Sequence, residues 1–250
     1  MDIVVCVKTN PDLQMVRIKN REAVTEAVPY KLGDLEKNAL EAAVVLRDAV
    51  GGKVTALCLA ESNRKAAEGI KEALAMGADA AVVIDDPALA EPDQAAVAAA
   101  LAAAVKKIGA CDLLLFGEGS TDNYTGQVGA RVAELLGLPQ IGYARKIEAA
   151  DGAVRCERSM DDMIETLEAP LPAVVSVVSE INDPAPTAAT QATRIVTCRD
   201  IRPTPVRRPR CAGASGSQPT QRSARASQPT YRDRQCQAPR PGTRRPPGRR

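Results

Sequence analysis

Short runs of apolar residues alternate, through the first half of the chain, with longer stretches in which apolar residues return every three to four positions. The runs at 2–7, 53–59, 80–84 and 112–116 are of strand length and largely lack a polar alternation, which predicts strands buried on both faces of a parallel sheet. Between them the spacing predicts helices over 35–49, 63–76 and 93–107, the first with Leu40, Ala43, Val44 and Leu46 close to one side. The third is alanine-rich, but Val97, Leu101 and Val105 recur at helical spacing, and Lys106 and Lys107 suit the negative end of its dipole. Strands alternating with helices predict an α/β fold with a doubly wound, mostly parallel sheet. After Leu138-Pro139 the pattern changes to antiparallel strands at 142–149, 154–158 and 164–168, the first two joined at Asp151-Gly152, a strong hairpin-turn signal. A buried strand at 173–178 then returns to the sheet, and residues 180–184 close the folded body.

Charge divides the chain in two. The formal net charge is +2, yet residues 1–184 hold 18 Lys and Arg against 29 Asp and Glu, while residues 185–250 hold 15 Arg with only Asp200 and Asp233. The first part is long enough to bury a full core. The second has no Leu and no Lys and is crowded with Pro, Arg, Ser, Thr and Gln, so it cannot build one. The expected organisation is therefore an α/β domain over 1–184 and an Arg/Pro-rich tail over 185–250, either disordered or a shifted reading frame of GC-rich DNA. An arginine-rich tail without interleaved aromatics does not point to nucleic acid as a partner.

The chain contains no histidine, which excludes Ser-His-Asp and Cys-His catalysis and histidine metal ligands. Its seven cysteines include no C-x-x-C pair, so no zinc knuckle or sequence-local iron–sulfur site is indicated. Cys6, Cys58 and Cys111 fall in or beside apolar strands and read as small buried hydrophobes of a reducing cytoplasm. No signal peptide or membrane span is expected. Asp161, Asp162 and Glu165 form an acidic group with no nearby acid-base or metal-ligand partner and read as a solvated edge.

The segment Gly117-Glu-Gly-Ser-Thr-Asp-Asn-Tyr-Thr-Gly-Gln-Val-Gly129 follows the strand at 112–116 and opens a helical run at 128–136. The first N–H groups of a helix lack intrahelical partners and carry the positive end of its dipole, so an anion can bind there. A phosphate-cleaving P-loop would end in Gly-Lys-Ser/Thr, whereas Gln127 and Val128 follow Gly126; the loop carries no Lys or Arg, and no lysine is available for phosphoryl transfer. A dinucleotide fingerprint would need glycine where Asp122 stands. The loop therefore reads as binding a nucleotide rather than cleaving one, or as a plain strand-to-helix turn capped by Asn123 or Thr125.

Several separated segments together resemble the β (small) subunit of electron transfer flavoproteins. They are Ile3-Val-Val-Cys-Val-Lys8, Asn38-Ala-Leu-Glu-Ala-Ala43, Glu72-Ala-Leu-Ala-Met-Gly-Ala-Asp79, Asp122 with Thr125-Gly-Gln-Val-Gly129, Ala133-Glu-Leu-Leu-Gly-Leu-Pro-Gln140 and Leu171-Pro-Ala-Val-Val175. Their order and spacing cover nearly all of 1–184, and Gly117-Glu-Gly-Ser-Thr-Asp122 is closer in wording to the bacterial branch associated with nitrogen fixation and electron bifurcation. The resemblance implies a Rossmann-like, adenine-nucleotide-binding domain with an added antiparallel hairpin. It implies an electron carrier rather than an enzyme. Such a chain would pair with an α subunit carrying FAD and pass electrons from an acyl-CoA or other flavin dehydrogenase to a quinone oxidoreductase or ferredoxin. This subunit would itself hold AMP or a second FAD.

The nucleotide contacts that the resemblance implies are Cys6; Gly33, Asp34, Leu35 and Glu36 before the first helix; and Asp122, Asn123, Tyr124, Thr125, Gly126, Gln127, Val128 and Gly129. Cys58 and Leu59 are further candidates for the pocket wall. The family usually shows Asn-Pro-Phe or Asn-Pro-Tyr where this chain has Gly33-Asp34-Leu35, and its ending past Asn-x-Pro differs from residues 185 onward. A stand-alone adenine-nucleotide-binding protein of the universal-stress type would share the strand-helix alternation and remains the alternative.

Overall fold

The computed structural model describes residues 1–25, 27–60, 69–90 and 92–184, and the backbone of 195–198. A nine-stranded, mostly parallel sheet forms its centre among the described residues. Its middle strands are β1 (Asp2–Val7), β6 (Lys53–Leu59), β7 (Ala80–Ile84) and β8 (Leu113–Gly117), the four expected from the apolar runs. All pair in parallel, with Val4 opposite both Thr55 and Leu114. The strand β12 (Ala173–Val177) joins β8, and β9 (Gln140–Ala150) joins β12, again in parallel. From β9 the hairpin strands β10 (Ala153–Ser159) and β11 (Ile164–Pro170) extend the sheet antiparallel. The shorter pairs lie outside this sheet: β2 (Thr9–Pro11) with β5 (Tyr30–Leu32), and β3 (Arg17–Lys19) with β4 (Glu22–Val24).

Successive side chains of a strand point to opposite faces, and here both faces are covered. Ile3, Val5, Leu113 and Leu115 pack on one side with Leu40, Ala43 and Leu46 of α1 (Asp34–Val50). Val4, Cys6, Leu114 and Phe116 pack on the other with Leu101 and Val105 of α3 (Gln94–Ile108) and Val132 of α4 (Val128–Leu136). Each fully buried leucine contributes on the order of 2 kcal/mol through loss of apolar surface to water. Of the helix expected over 63–76, residues 63–68 lie outside the described residues; the part that is described contains α2 (Lys71–Ala75).

The end of the main domain is tied back to α1. Asn38 Nδ2 donates to the carbonyls of Ser179 and Asn182 at 3.0 and 2.9 Å, and Asn182 Nδ2 donates to the Asn38 carbonyl at 3.0 Å. One further strand, β13 (Ile195–Cys198), comes from beyond Pro184 and pairs in parallel with β7 at the sheet edge. The rest of the tail, and with it the expectation of disorder or a shifted frame, lies outside the described residues.

Candidate functional site

The chain runs from β1 to β6 and β7 on one side of the sheet, then returns with β8 to the other side of β1. Connections leaving β1 and β8 therefore diverge, opening a crevice at the carboxyl ends of these strands, where open α/β sheets bind ligands. A cavity lies there, bounded by Val7, Lys8, Leu59, Phe116 and Gly117 from the strand ends and by the first turns of α1, α3 and α4.

The loop after β8 is held on both flanks. The Glu118 N–H donates to the Val177 carbonyl at 2.9 Å, and Asn10 Nδ2 donates to Thr121 Oγ1 at 3.0 Å. Gly126 has φ +63, a conformation that favours glycine, and turns the chain into α4. Neither Asn123 nor Thr125 caps that helix, contrary to the turn-capping alternative: Gln127 occupies the position before Val128, and among the described residues no side-chain cap hydrogen bond is made there. The cavity wall thus includes a helix start without a side-chain cap, at Gln127, Val128 and Gly129.

The expectation that no lysine is available at the loop needs correction. Lys8, one residue past β1, lines the cavity and pairs its Nζ with Asp122 Oδ2 at 2.7 Å. Partial burial works against the Asp122 charge, but hydrogen bonds from Lys8 and Ser120 outweigh it and hold the carboxyl below its ordinary range. A cation therefore lines the same cavity as the uncapped helix start, delivered by a different element from the loop.

Of the residues singled out from sequence, Cys6, Glu36 and Leu59 line the cavity, as do Asn123, Thr125, Gly126, Gln127, Val128 and Gly129. The others sit around it. Gly33 precedes α1, and Asp34 and Leu35 open it. Leu35 backs onto Gly117, where an added Cβ would come within 3.0 Å of the Leu35 backbone. Cys58 packs on the α1 face, opposite Leu57 and Leu59, because neighbouring strand residues alternate. Asp122 forms its ion pair with Lys8, and Tyr124, with φ +48, is 57% exposed.

Sequence reasoning did not pick out Lys8, Pro92, Gln94, Gln140 or Ser176 as cavity residues, though all line it. Lys8 carried a usable signal, being the first residue beyond a central strand. Gln140 and Ser176 come from β9 and β12, which only the sheet order brings alongside β8.

One carboxyl group and one thiol mark the electrostatics of the wall. Burial raises Glu36 from 4.5 to about 7, a change its own backbone N–H and Lys8 oppose and Asp122 and Asp34 reinforce. Burial, then Cys111 and Cys58, push the Cys6 thiol well above its ordinary value, so it stays protonated as an apolar wall group. Away from the cavity, Asp161 and Asp162 are exposed, and Glu165 accepts from Arg158 Nε at 2.6 Å. Among the described residues no group of three or more Cys, Asp or Glu is placed to hold a metal ion. Among those residues, too, no helix is long and apolar enough to cross a membrane.

Comparison with known proteins agrees with this architecture. Residues 22–200 match the electron transfer flavoprotein domain. The chain is 38% identical over 186 residues to the electron transfer flavoprotein subunit beta of Thermoanaerobacterium thermosaccharolyticum, covering 74% of this chain and 70% of the relative. It is 38% identical to subunit CarD of the caffeyl-CoA reductase–Etf complex of Acetobacterium woodii, covering 74% and 71%. The beta subunit of Clostridium acetobutylicum is 37% identical with the same coverage. The domain match, the level of identity and the doubly wound sheet together show that this chain belongs to the electron transfer flavoprotein family, among its beta subunits.

Proposed function

We propose that this chain is the nucleotide-binding subunit of an electron-carrying heterodimer, pairing with an α subunit that carries FAD. Membership of the family supports the electron-transfer role. The observation that carries the nucleotide part is the convergence of an uncapped helix start, the Lys8 ammonium and a buried carboxyl on one cavity at the switch point of the sheet. The N–H groups at the start of α4 and Lys8 fit a phosphate, and the apolar wall of Cys6, Leu59, Val97 and Leu101 fits an adenine ring. The ligand is AMP or the ADP part of a second FAD. When bound, a flavin supplies the redox centre; the residues of this chain bind, orient and shield the nucleotide.

The resemblance to subunit CarD favours the bacterial bifurcation-like branch. In that setting the donor is an acyl-CoA or other flavin dehydrogenase, the acceptor a quinone oxidoreductase or ferredoxin, and the complex is cytoplasmic. The test is to coexpress the full chain with its α subunit and purify through a tag on this chain. A yellow heterodimer whose flavin is reduced by a flavin dehydrogenase supports the proposal. A colourless, solitary chain that binds ATP instead supports the stand-alone nucleotide sensor and overturns it.

A further inference from the structure

Tyr124 and Tyr143 stand at the rim of the cavity, 57% and 52% exposed, and both hold φ values, +48 and +59, that a side chain disfavours. The Tyr124 ring folds over Gly119, where an added Cβ would come within 3.0 Å of it. The Tyr143 hydroxyl and the Glu118 carbonyl both lie within 3.6 Å of the point where a Cβ on Gly126 would sit. Tyr143 is set by an irregularity in the sheet: the register of β9 against β12 shifts between Val175 and Val177, and the Tyr143 N–H donates to Ser176 Oγ at 3.2 Å. Such a bulge re-aims a side chain. Strained backbone that exposes two neighbouring rings has to be stabilised by the rest of the fold, and it marks a surface made for contact.

The surface around the rings is acidic. Burial, then Glu118, Tyr143 and Glu180, raise the Tyr124 hydroxyl, which places both carboxylates beside the ring pair. Neither Glu118 nor Glu180 forms an ion pair among the described residues, and Lys8 on the cavity wall is taken by Asp122. Tyrosine faces flanked by unpaired carboxylates suit a guanidinium, which is flat, stacks on rings and donates to carboxylates. The chain supplies one. Strand β13 ends at Cys198, opposite Ile84, the last residue of β7, so the chain leaves it at the carboxyl edge of the sheet, where the cavity opens. Strands β8 and β9 lie four and six places from β13, about 19 and 29 Å at about 4.8 Å per strand. At about 3.3 Å per residue Arg202 falls short of both, whereas Arg207, nine residues past Cys198, can span about 30 Å. We propose that Tyr124, Tyr143, Glu118 and Glu180 form a clasp for an arginine of this chain's own tail, in the segment Val206-Arg-Arg-Pro-Arg210.

The test is tryptic cleavage of the full-length chain, followed by mass spectrometry after Arg207 in the segment and after Arg222 outside it. At low salt the ratio of the Arg207 rate to the Arg222 rate rises about fivefold from wild type to a Glu118→Gln, Glu180→Gln double variant, because the freed guanidinium becomes open to trypsin. High salt moves the wild-type ratio towards the same value. Tyr143→Ser, which keeps both carboxylates, raises it at least about twofold and guards against a defect peculiar to the double variant. An Asp161→Asn, Asp162→Asn variant removes the same charge at the turn between β10 and β11 and leaves the ratio at its wild-type value. A ratio unchanged in both clasp variants overturns the assignment. An equal rise in the Asp161, Asp162 variant shows diffuse attraction between an acidic domain and a basic tail, and overturns it as well. Protection after Arg207 that appears only once the α subunit is added assigns the clasp to that partner and also overturns it.

Discussion

Replacing Glu36 by glutamine tests how deeply the first turn of α1 is buried. Glu36 is almost wholly buried, and desolvation lifts its carboxyl from 4.5 to about 7, with its own N–H and Lys8 opposing and Asp122 and Asp34 adding to the rise. An acid whose native value exceeds its unfolded value binds more protons in the native state between the two. Its contribution to stability is therefore complete below pH 4.5, declines through the window and is lost above about pH 7. At about 1.4 kcal/mol per pH unit, the interval from 4.5 to about 7 corresponds to about 3 kcal/mol. Glutamine has no charge to bury, so Glu36→Gln lacks this decline. Urea unfolding of nucleotide-free wild type and variant, from pH 5 to 8.5, reads the difference directly. Groups that titrate in both proteins, such as Asp122, largely cancel. The variant should gain about 2.5 kcal/mol on the wild type between pH 5 and pH 8, because part of the window already lies below pH 5. A difference that does not change with pH would refute the claim that burial lifts this carboxyl.

Other substitutions probe the cavity wall and the closure of the domain. Lys8→Met removes a half-exposed ion pair worth at most about 1 kcal/mol, so stability hardly changes, while AMP binding weakens about tenfold and loses part of its salt dependence in titrations at two ionic strengths. Gly126→Ala puts a side chain on a residue at φ +63 with the Glu118 carbonyl 3.1 Å from the new Cβ; urea denaturation should show about 1–2 kcal/mol of destabilisation together with weaker AMP binding. Asn38→Ala leaves the Ser179 and Asn182 carbonyls without their donor, costing about 1–3 kcal/mol by chemical denaturation and speeding proteolysis near Asn182.

Much of the fold was legible because its strands announce themselves. The runs that became β1, β6, β7 and β8 are apolar on both faces, as suits a parallel sheet covered on both sides. The helical run at 128–136 matches α4 residue for residue. The capping alternative misled because Asn123 and Thr125 are favoured cap types, whereas here the positive φ of Tyr124 and Gly126 delays the helix until Val128. Loop residues of the site stood out through their glycines and polar side chains. Lys8 was visible but unassigned, since its partner Asp122 lies 114 positions away. The burial of Glu36 and its dependence on Gly33 had no local signal: both follow from how α1 meets the ends of β1 and β8. The same holds for Ser176 and Gln140, and for β13, whose place beside β7 is a long-range pairing.

The most direct measurement of the central claim is the nucleotide content of the purified heterodimer, released by acid and identified by chromatography and mass. The account predicts one adenine nucleotide bound to this chain, AMP or FAD, in addition to the FAD of the α subunit, and its loss in a Gly126→Ala, Lys8→Met double variant that still assembles. A heterodimer that carries the α-subunit FAD and no second nucleotide would contradict it.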